Sequence, residues 1–359
     1  MIPYFLLLFL PLLVWWVRIK YRVTLGKKVL LEISTAAIDV FMLILWFMLA
    51  LRGLECGSDT PQYERVFASY SRYTFGDIIR SIDLEVGFAI LCKFLSLFGN
   101  NYQFYLCATA AICIAPLWYF YKCESENQPL TIALFMFFPT FIMYFSGIRQ
   151  ALAMSVGILA WYAAREKKRI RFIALVLLAM QFHTSAFILF VLYPLYSAKI
   201  TKNWLYVVVP LMVLIFINKK TIFSYALTFL WEEYEATPET GATSILWLLI
   251  IFAVYSYVIP DEKKLDRDII GMRNILLLSV VIQFFAMLHP LSMRMNYYFL
   301  LFVPILIPKI SSRTQIRFEQ VSRLSNVVMT TYFFYYFVSK MVKDIDSLNI
   351  FPYIPFWQN

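Results

Sequence analysis

The stretch EVGFAILCKFLSLF, residues 85–98, decides the topology of this chain. It is apolar enough to enter a bilayer, yet as a helix it reaches only about 21 Å, short of a hydrocarbon core of roughly 30 Å. Were it a crossing, every later loop would change sides, and the basic loop Arg165 to Arg171 would face outward. Lys and Arg gather instead in cytoplasmic loops. We therefore read 85–98 as a re-entrant or interfacial helix that leaves the count of crossings unchanged.

The rest of the chain supports a membrane setting. Of 359 residues, 61% are hydrophobic and 15% charged, with a mean hydropathy of +0.70. Apolar residues recur in runs of about 15 to 20, the length that crosses a bilayer as a helix. The runs are continuous rather than alternating, which excludes a transmembrane β-barrel. The fold class is an all-α integral membrane protein. The formal net charge is +10, from 32 basic and 22 acidic residues. In this setting it reflects loop charges that set orientation. No basic and aromatic surface outside the membrane is long enough for a nucleic-acid module, so no nucleic acid is expected. The five cysteines include no CxxC pair and read as packing residues. With two histidines in the chain, no metal site is expected.

Three basic loops, Arg18 to Lys28, Arg165 to Arg171 and Lys309 to Arg323, are placed in the cytoplasm. The first apolar run, with basic residues only after it, reads as a signal-anchor with its N-terminus outside. Spans then fall at about 2–17, 33–51, 102–121, 130–146, 148–164, 203–217, 243–260, 269–288, 294–308 and 325–341. To keep the count, 170–197 must fold double as a hairpin of two short helices with its tip at Phe182 to Ser185. The expectation is about twelve crossings in one polytopic domain, 1–359. Its external parts are a loop at about 52–101 carrying the re-entrant helix, a loop at about 218–242 with Trp231-Glu232-Glu233-Tyr234, and the tail at about 342–359.

This parity puts the polar oddities on the outer side. Asp59, in ECGSDTPQY, is either the cap of a following helix or a general base for a sugar hydroxyl. Glu85 opens the short helix, where a carboxylate is favoured by the N-terminal dipole. Arg149, in SGIRQALA, and Arg294 each begin an apolar helix; they either snorkel or clamp an anionic head group through bidentate guanidinium contacts. His183 either caps the hairpin break or handles a proton or phosphate.

At these residues the chain resembles the EpsG family of bacterial exopolysaccharide polymerases, functionally related to the Wzy O-antigen polymerases. The resemblance rests on GSDTPQYERVF (57–67), EVGFAIL (85–91), FSGIRQALA (145–153), FHTSA (182–186), RMNYYF (294–299) and FPYIPF (351–356), in that order. It implies an enzyme that transfers a growing glycan from undecaprenyl pyrophosphate onto the next lipid-linked repeat unit. The reaction would take place at the outer face of the bacterial inner membrane, in an architecture similar to C-class membrane glycosyltransferases. The implied partners are the lipid-linked oligosaccharide, the bilayer and a chain-length regulator; no cofactor is implied. On this resemblance Arg149, Gln150, Arg294, Tyr298 and Tyr353 form the pyrophosphate and substrate set. The acceptor hydroxyl takes its base from Asp59 first, then His183 or Glu85. A developing pyrophosphate charge needs cationic donors already in place, and two arginines supply them without metal.

Two other functions remain open at this level. A flippase for the same lipid would use the same arginines but needs polar residues along a path to the inner face, and the spans show few. A membrane acyltransferase would need a histidine near a donor entry from the cytoplasm, and His183 is expected at an outer tip.

Overall fold

Helices form along the apolar runs, and some of them begin or end at a polar cap or at a proline. The computed structural model describes residues 1–359 except 18–19, 26–27, 35–36, 81–83, 231–240, 344–347 and 359. The motif Trp231 to Tyr234 lies outside the described residues.

The chain begins with α1 (Ile2–Val17), then strands β1 (Lys20–Leu25) and β2 (Lys28–Ser34), then α2 (Ala37–Leu51). Four helices follow α2: α3 (Thr60–Arg72), α4 (Phe75–Arg80), α5 (Val86–Ser96) and α6 (Tyr102–Glu124). Next come α7 (Gln128–Phe137), α8 (Pro139–Ser146), α9 (Ile148–Arg165), α10 (Arg169–Met180), a 3-10 helix (Thr184–Val191) and α11 (Leu192–Ser197). The remainder is α12 (Leu205–Ile217), α13 (Lys219–Leu230), α14 (Ala242–Val258), α15 (Arg267–Ala286), α16 (Pro290–Leu300), α17 (Val303–Ser312) and α18 (Glu319–Val342).

One departure from an all-helical reading is the antiparallel hairpin of β1 and β2. It occupies the basic loop and the expected start of the second span. Its sequence, KYRVTL then KVLLEIS, is rich in β-branched and aromatic residues at alternating positions, a strand pattern that an overall hydropathy reading passes over.

Helices lie along the expected spans, but length and composition support fewer crossings among the described residues than the twelve expected. Among the described residues α6 and α15 are long and apolar enough to cross a bilayer; counting each bent pair as one span raises the number to five. The bent pairs are α7 with α8 (66°), α12 with α13 (73°) and α16 with α17 (43°). The break before α8 has a direct cause. Pro139 lacks an amide proton and crowds the preceding turn, so Phe138 is extended, with φ −72° and ψ 147°. Other expected crossings coincide with shorter apolar helices such as α1, α2 and α14. The stretch at 85–98 becomes α5, 11 residues long, about 16 Å and too short to cross.

By its contacts the chain forms two compact units, described separately. The first comprises Met1–Leu159, Leu177–Thr184 and Asn326–Asn359. In it α2 packs on α1 and α6, and α3 packs on α5. Phe135 is a hub, meeting Phe41, Tyr121, Phe141 and Tyr144 edge-on at centroid distances of 5.5 to 6.1 Å. Such pairs add to simple burial because ring edges and faces carry opposite partial charge.

The second unit comprises Ala160–Val176 and Ser185–Ser325. It is built around α15, which packs against α11, α14, α16 and α17. The Asp266 carboxylate caps α15 by accepting from the Ile269 amide at 2.8 Å, a contact worth about 1 kcal/mol. Some polar groups inside pair with one another, which lowers the cost of placing them in an apolar surrounding. Ser279 donates to the Asn296 Oδ1 at 2.7 Å, and Asn296 Nδ2 donates to Gln283 Oε1 at 2.7 Å. The fully buried Arg273 pairs with Glu262 at 2.8 Å and lies 3.9 Å from the Tyr257 ring centre. Phe172 of α10 meets Tyr193 of α11 at 5.3 Å, so the two arms of the expected hairpin touch here.

Candidate functional site

In the first unit the loop before α3 is fixed by chain from far away. The tail runs antiparallel to it, bridging Arg52 with Pro355. The amides of Gly53, Gly57 and Ser58 donate to the carbonyls of Ile354, Asn349 and Leu348 at 2.8, 2.9 and 2.8 Å. The tail is itself pinned. Tyr353 donates to the Met48 carbonyl at 2.9 Å, and Tyr4 donates to the Ile350 carbonyl at 2.5 Å. Burial pushes the Tyr353 phenol well above its ordinary pKa, so it stays a hydrogen-bond donor.

Gly57 makes the turn. Its φ is +96°, and a β-carbon there would collide with the Phe145 carbonyl oxygen. Both facts demand glycine. Gly87, at the start of α5, is demanded by packing alone, since a β-carbon would sit 2.6 Å from that of Gln181. The approach lets the Phe88 amide donate to the Gln181 carbonyl at 3.0 Å. Gly57→Ala and Gly87→Ala are each expected to cost about 1–3 kcal/mol through strain and overpacking. Thermal unfolding of the detergent-purified protein measures this, and an unchanged midpoint for both would contradict the packing described.

Asp59 directly precedes α3, but its side chain makes no cap hydrogen bond, and its backbone is already helical at φ −92° and ψ −6°. The cap reading therefore does not account for the carboxylate. Instead it accepts from the Ser58 hydroxyl at 3.1 Å, and the Asp59 amide donates to Ser146 Oγ at 3.2 Å. The Ser58 and Ser146 hydroxyls lie 2.9 Å apart. Asp59 thus sits half-exposed, oriented from both sides by serine.

Glu85 and Arg149 form an ion pair, Nη1 to Oε2, at 2.5 Å, with side-chain exposures of 11% and 24%. The other carboxylate oxygen, Oε1, accepts from the Thr184 amide at 3.1 Å. Glu85 therefore ties the SGIRQ turn to the FHT turn, and both of its oxygens are engaged. The Arg149 Nε is buried and has no hydrogen-bond partner among the described residues. The amide of Arg149, in the first turn of α9, donates to the Tyr63 hydroxyl at 3.4 Å. Tyr63 is buried and packs edge-on against Phe88 at 5.8 Å. Burial raises its phenol pKa, the Arg149 guanidinium opposes the rise, and the Asp59 carboxylate adds to it. Tyr63 thus feels the field of both charged residues.

His183 is half-buried in the turn after α10, its amide donating to the Ala179 carbonyl at 3.1 Å. Gln150 is buried, with 3% exposure. In the second unit Arg294 is exposed on α16, and Tyr298 is buried at 2%, its hydroxyl 3.1 Å from that of Ser185.

A sequence profile of the EpsG family matches residues 36–354, a stretch that includes every candidate residue named above. This chain belongs to the EpsG family. EpsG is an exopolysaccharide polymerase family, and the apolar helices agree with a membrane protein. Comparison with curated proteins and with solved structures gives no match.

In this EpsG chain four of the motifs converge within the first unit: the turn at Gly57 to Asp59, the start of α5, the turn at Gly147 and the turn at His183. The tail, with Tyr353, holds the first of them. Four contributing residues were not singled out from the sequence. Ser58 donates to the Asp59 carboxylate, Ser146 accepts from the Asp59 amide, Thr184 supplies an amide to Glu85, and Tyr63 accepts from the Arg149 amide. Tyr63 had a signal, since it lies four residues after Asp59 and so falls on the same helical face. The serines had none.

Proposed function

We propose that this EpsG chain polymerises a surface polysaccharide by transferring a growing glycan from a polyprenyl pyrophosphate carrier onto the next lipid-linked repeat unit. In this reading Asp59 takes the proton of the acceptor hydroxyl and Arg149 receives the charge that develops on the pyrophosphate. The reaction faces outward from a cytoplasmic membrane, in a chain crossing it about twelve times. Leaving-group charge is met by donors fixed before the reaction, so little reorganisation is needed.

The observation that carries this reading is the juxtaposition in the first unit. The Asp59 carboxylate stands at the start of α3 and accepts from Ser58, the Arg149 amide meets Tyr63 of the same helix, and Glu85 and the tail hold their turns. A base and a phosphate-binding cation are the two groups such a transfer requires. Glu85, with both oxygens engaged by Arg149 and Thr184, suits positioning better than proton transfer.

Deleting the gene and resolving surface glycan on a gel tests the proposal. Loss of the long-chain ladder with single repeat units retained is the expected result. Loss of every external unit would instead identify a flippase.

A further inference from the structure

The second unit holds an apolar groove of about 530 Å³ between α12, α14 and α15. Val209, Val213, Phe216, Trp247 and Val254 line it and are 38–62% exposed. Along α12 the groove runs from Leu205 to Phe216, about 17 Å at 1.5 Å per residue. That is close to one leaflet of a hydrocarbon core roughly 30 Å thick.

One end of the groove is cationic. α12 stops at Asn218, and the bend of 73° into α13 places Lys219 and Lys220 there. The Lys219 ammonium lies 3.9 Å from the centre of the Phe216 ring, which also lines the groove, and 3.8 Å from Met287 Sδ. Neither neighbour is an anion, and among the described residues no carboxylate lies within 4.0 Å of either lysine. Partial burial, reinforced by Lys220, lowers the pKa of Lys219, so an anionic ligand would find an incompletely compensated charge.

We propose that this groove is a specific site for an anionic phospholipid of the bilayer, with an acyl chain along α12 and α14 and the headgroup phosphate on Lys219 and Lys220. The leaflet-deep length and the charge at one end fit a lipid standing in the membrane. The hydrocarbon lining gives chain burial without selecting among headgroups, and the lysines supply the selection.

Native mass spectrometry of the full detergent-purified chain tests the site. Phosphatidylglycerol, phosphatidylcholine with identical acyl chains, and a polyprenyl monophosphate are titrated in parallel. Phosphatidylglycerol should bind more tightly than phosphatidylcholine. The double variant Lys219→Ala/Lys220→Ala should erase a preference of about thirtyfold, two lysines each contributing as basic residues do at an anionic surface. Lys219→Arg/Lys220→Arg should keep it. Val213→Trp, which fills the groove and leaves the lysines, should weaken both phospholipids together. Equal binding of the two phospholipids to the unaltered protein would overturn the proposal. Tighter binding of the polyprenyl phosphate than of phosphatidylglycerol, lost in the same variants, would overturn the choice of a phospholipid.

Discussion

Asp59→Asn is expected to abolish chain elongation while leaving the protein folded. Loss of a general base slows transfer by about two to four orders of magnitude, enough to remove the long-chain ladder at matched expression. The geometry sharpens this test. An asparagine is normally as good a cap as an aspartate, but here the aspartate side chain makes no cap bond at all. Even Asp59→Ala therefore removes only the Ser58 contact from the folded state. Asparagine also keeps an acceptor oxygen for that hydroxyl, so its thermal midpoint should match that of the unaltered protein. An asparagine variant that still builds long chains would move the proton-accepting role to His183, the remaining candidate whose side chain is not held in an ion pair with Arg149.

Arg149→Lys should fail nearly as badly as Arg149→Ala, each by about two to three orders of magnitude in polymer formed, the cost of losing one preorganised donor to a developing oxyanion. A lysine can replace the charge opposite Glu85, but not a planar fork that contacts Glu85 through one nitrogen and leaves others for phosphate. The comparison with Glu85→Gln separates binding from positioning. Glutamine retains an oxygen for the Thr184 amide, so this variant should hold the turn and lose activity less than either Arg149 variant. Normal polymer from Arg149→Lys at normal protein levels would remove the pyrophosphate role.

The sequence made the helices legible because bilayer length and loop charge are one-dimensional signals. Residues 85–98 read as too short to cross, and α5 is 11 residues; 170–197 read as folded double, and Phe172 lies on Tyr193. The breaks were less legible. Pro139 could have been read as a bend, but hydropathy averages over it. The hairpin at Lys20–Ser34 was missed because its basic residues dominated the reading of that loop. In the candidate site, residue types were legible and pairings were not. Glu85 and Arg149 are 64 residues apart, and nothing in either motif says that the carboxylate of one closes on the guanidinium of the other. Asp59 read equally well as a cap, and only its backbone angles and missing bond decide.

The tail that fastens the Asp59 loop has a consequence for how the protein is made. The two partners of the Tyr353 to Met48 contact are separated by 305 residues, so a chain emerging from the ribosome inserts nearly all its helices before that clasp can close. Loop closure over such a distance is entropically costly and is repaid only by packing formed in between. The turn carrying the proposed base can therefore be fastened only after residues 348–354 have been made.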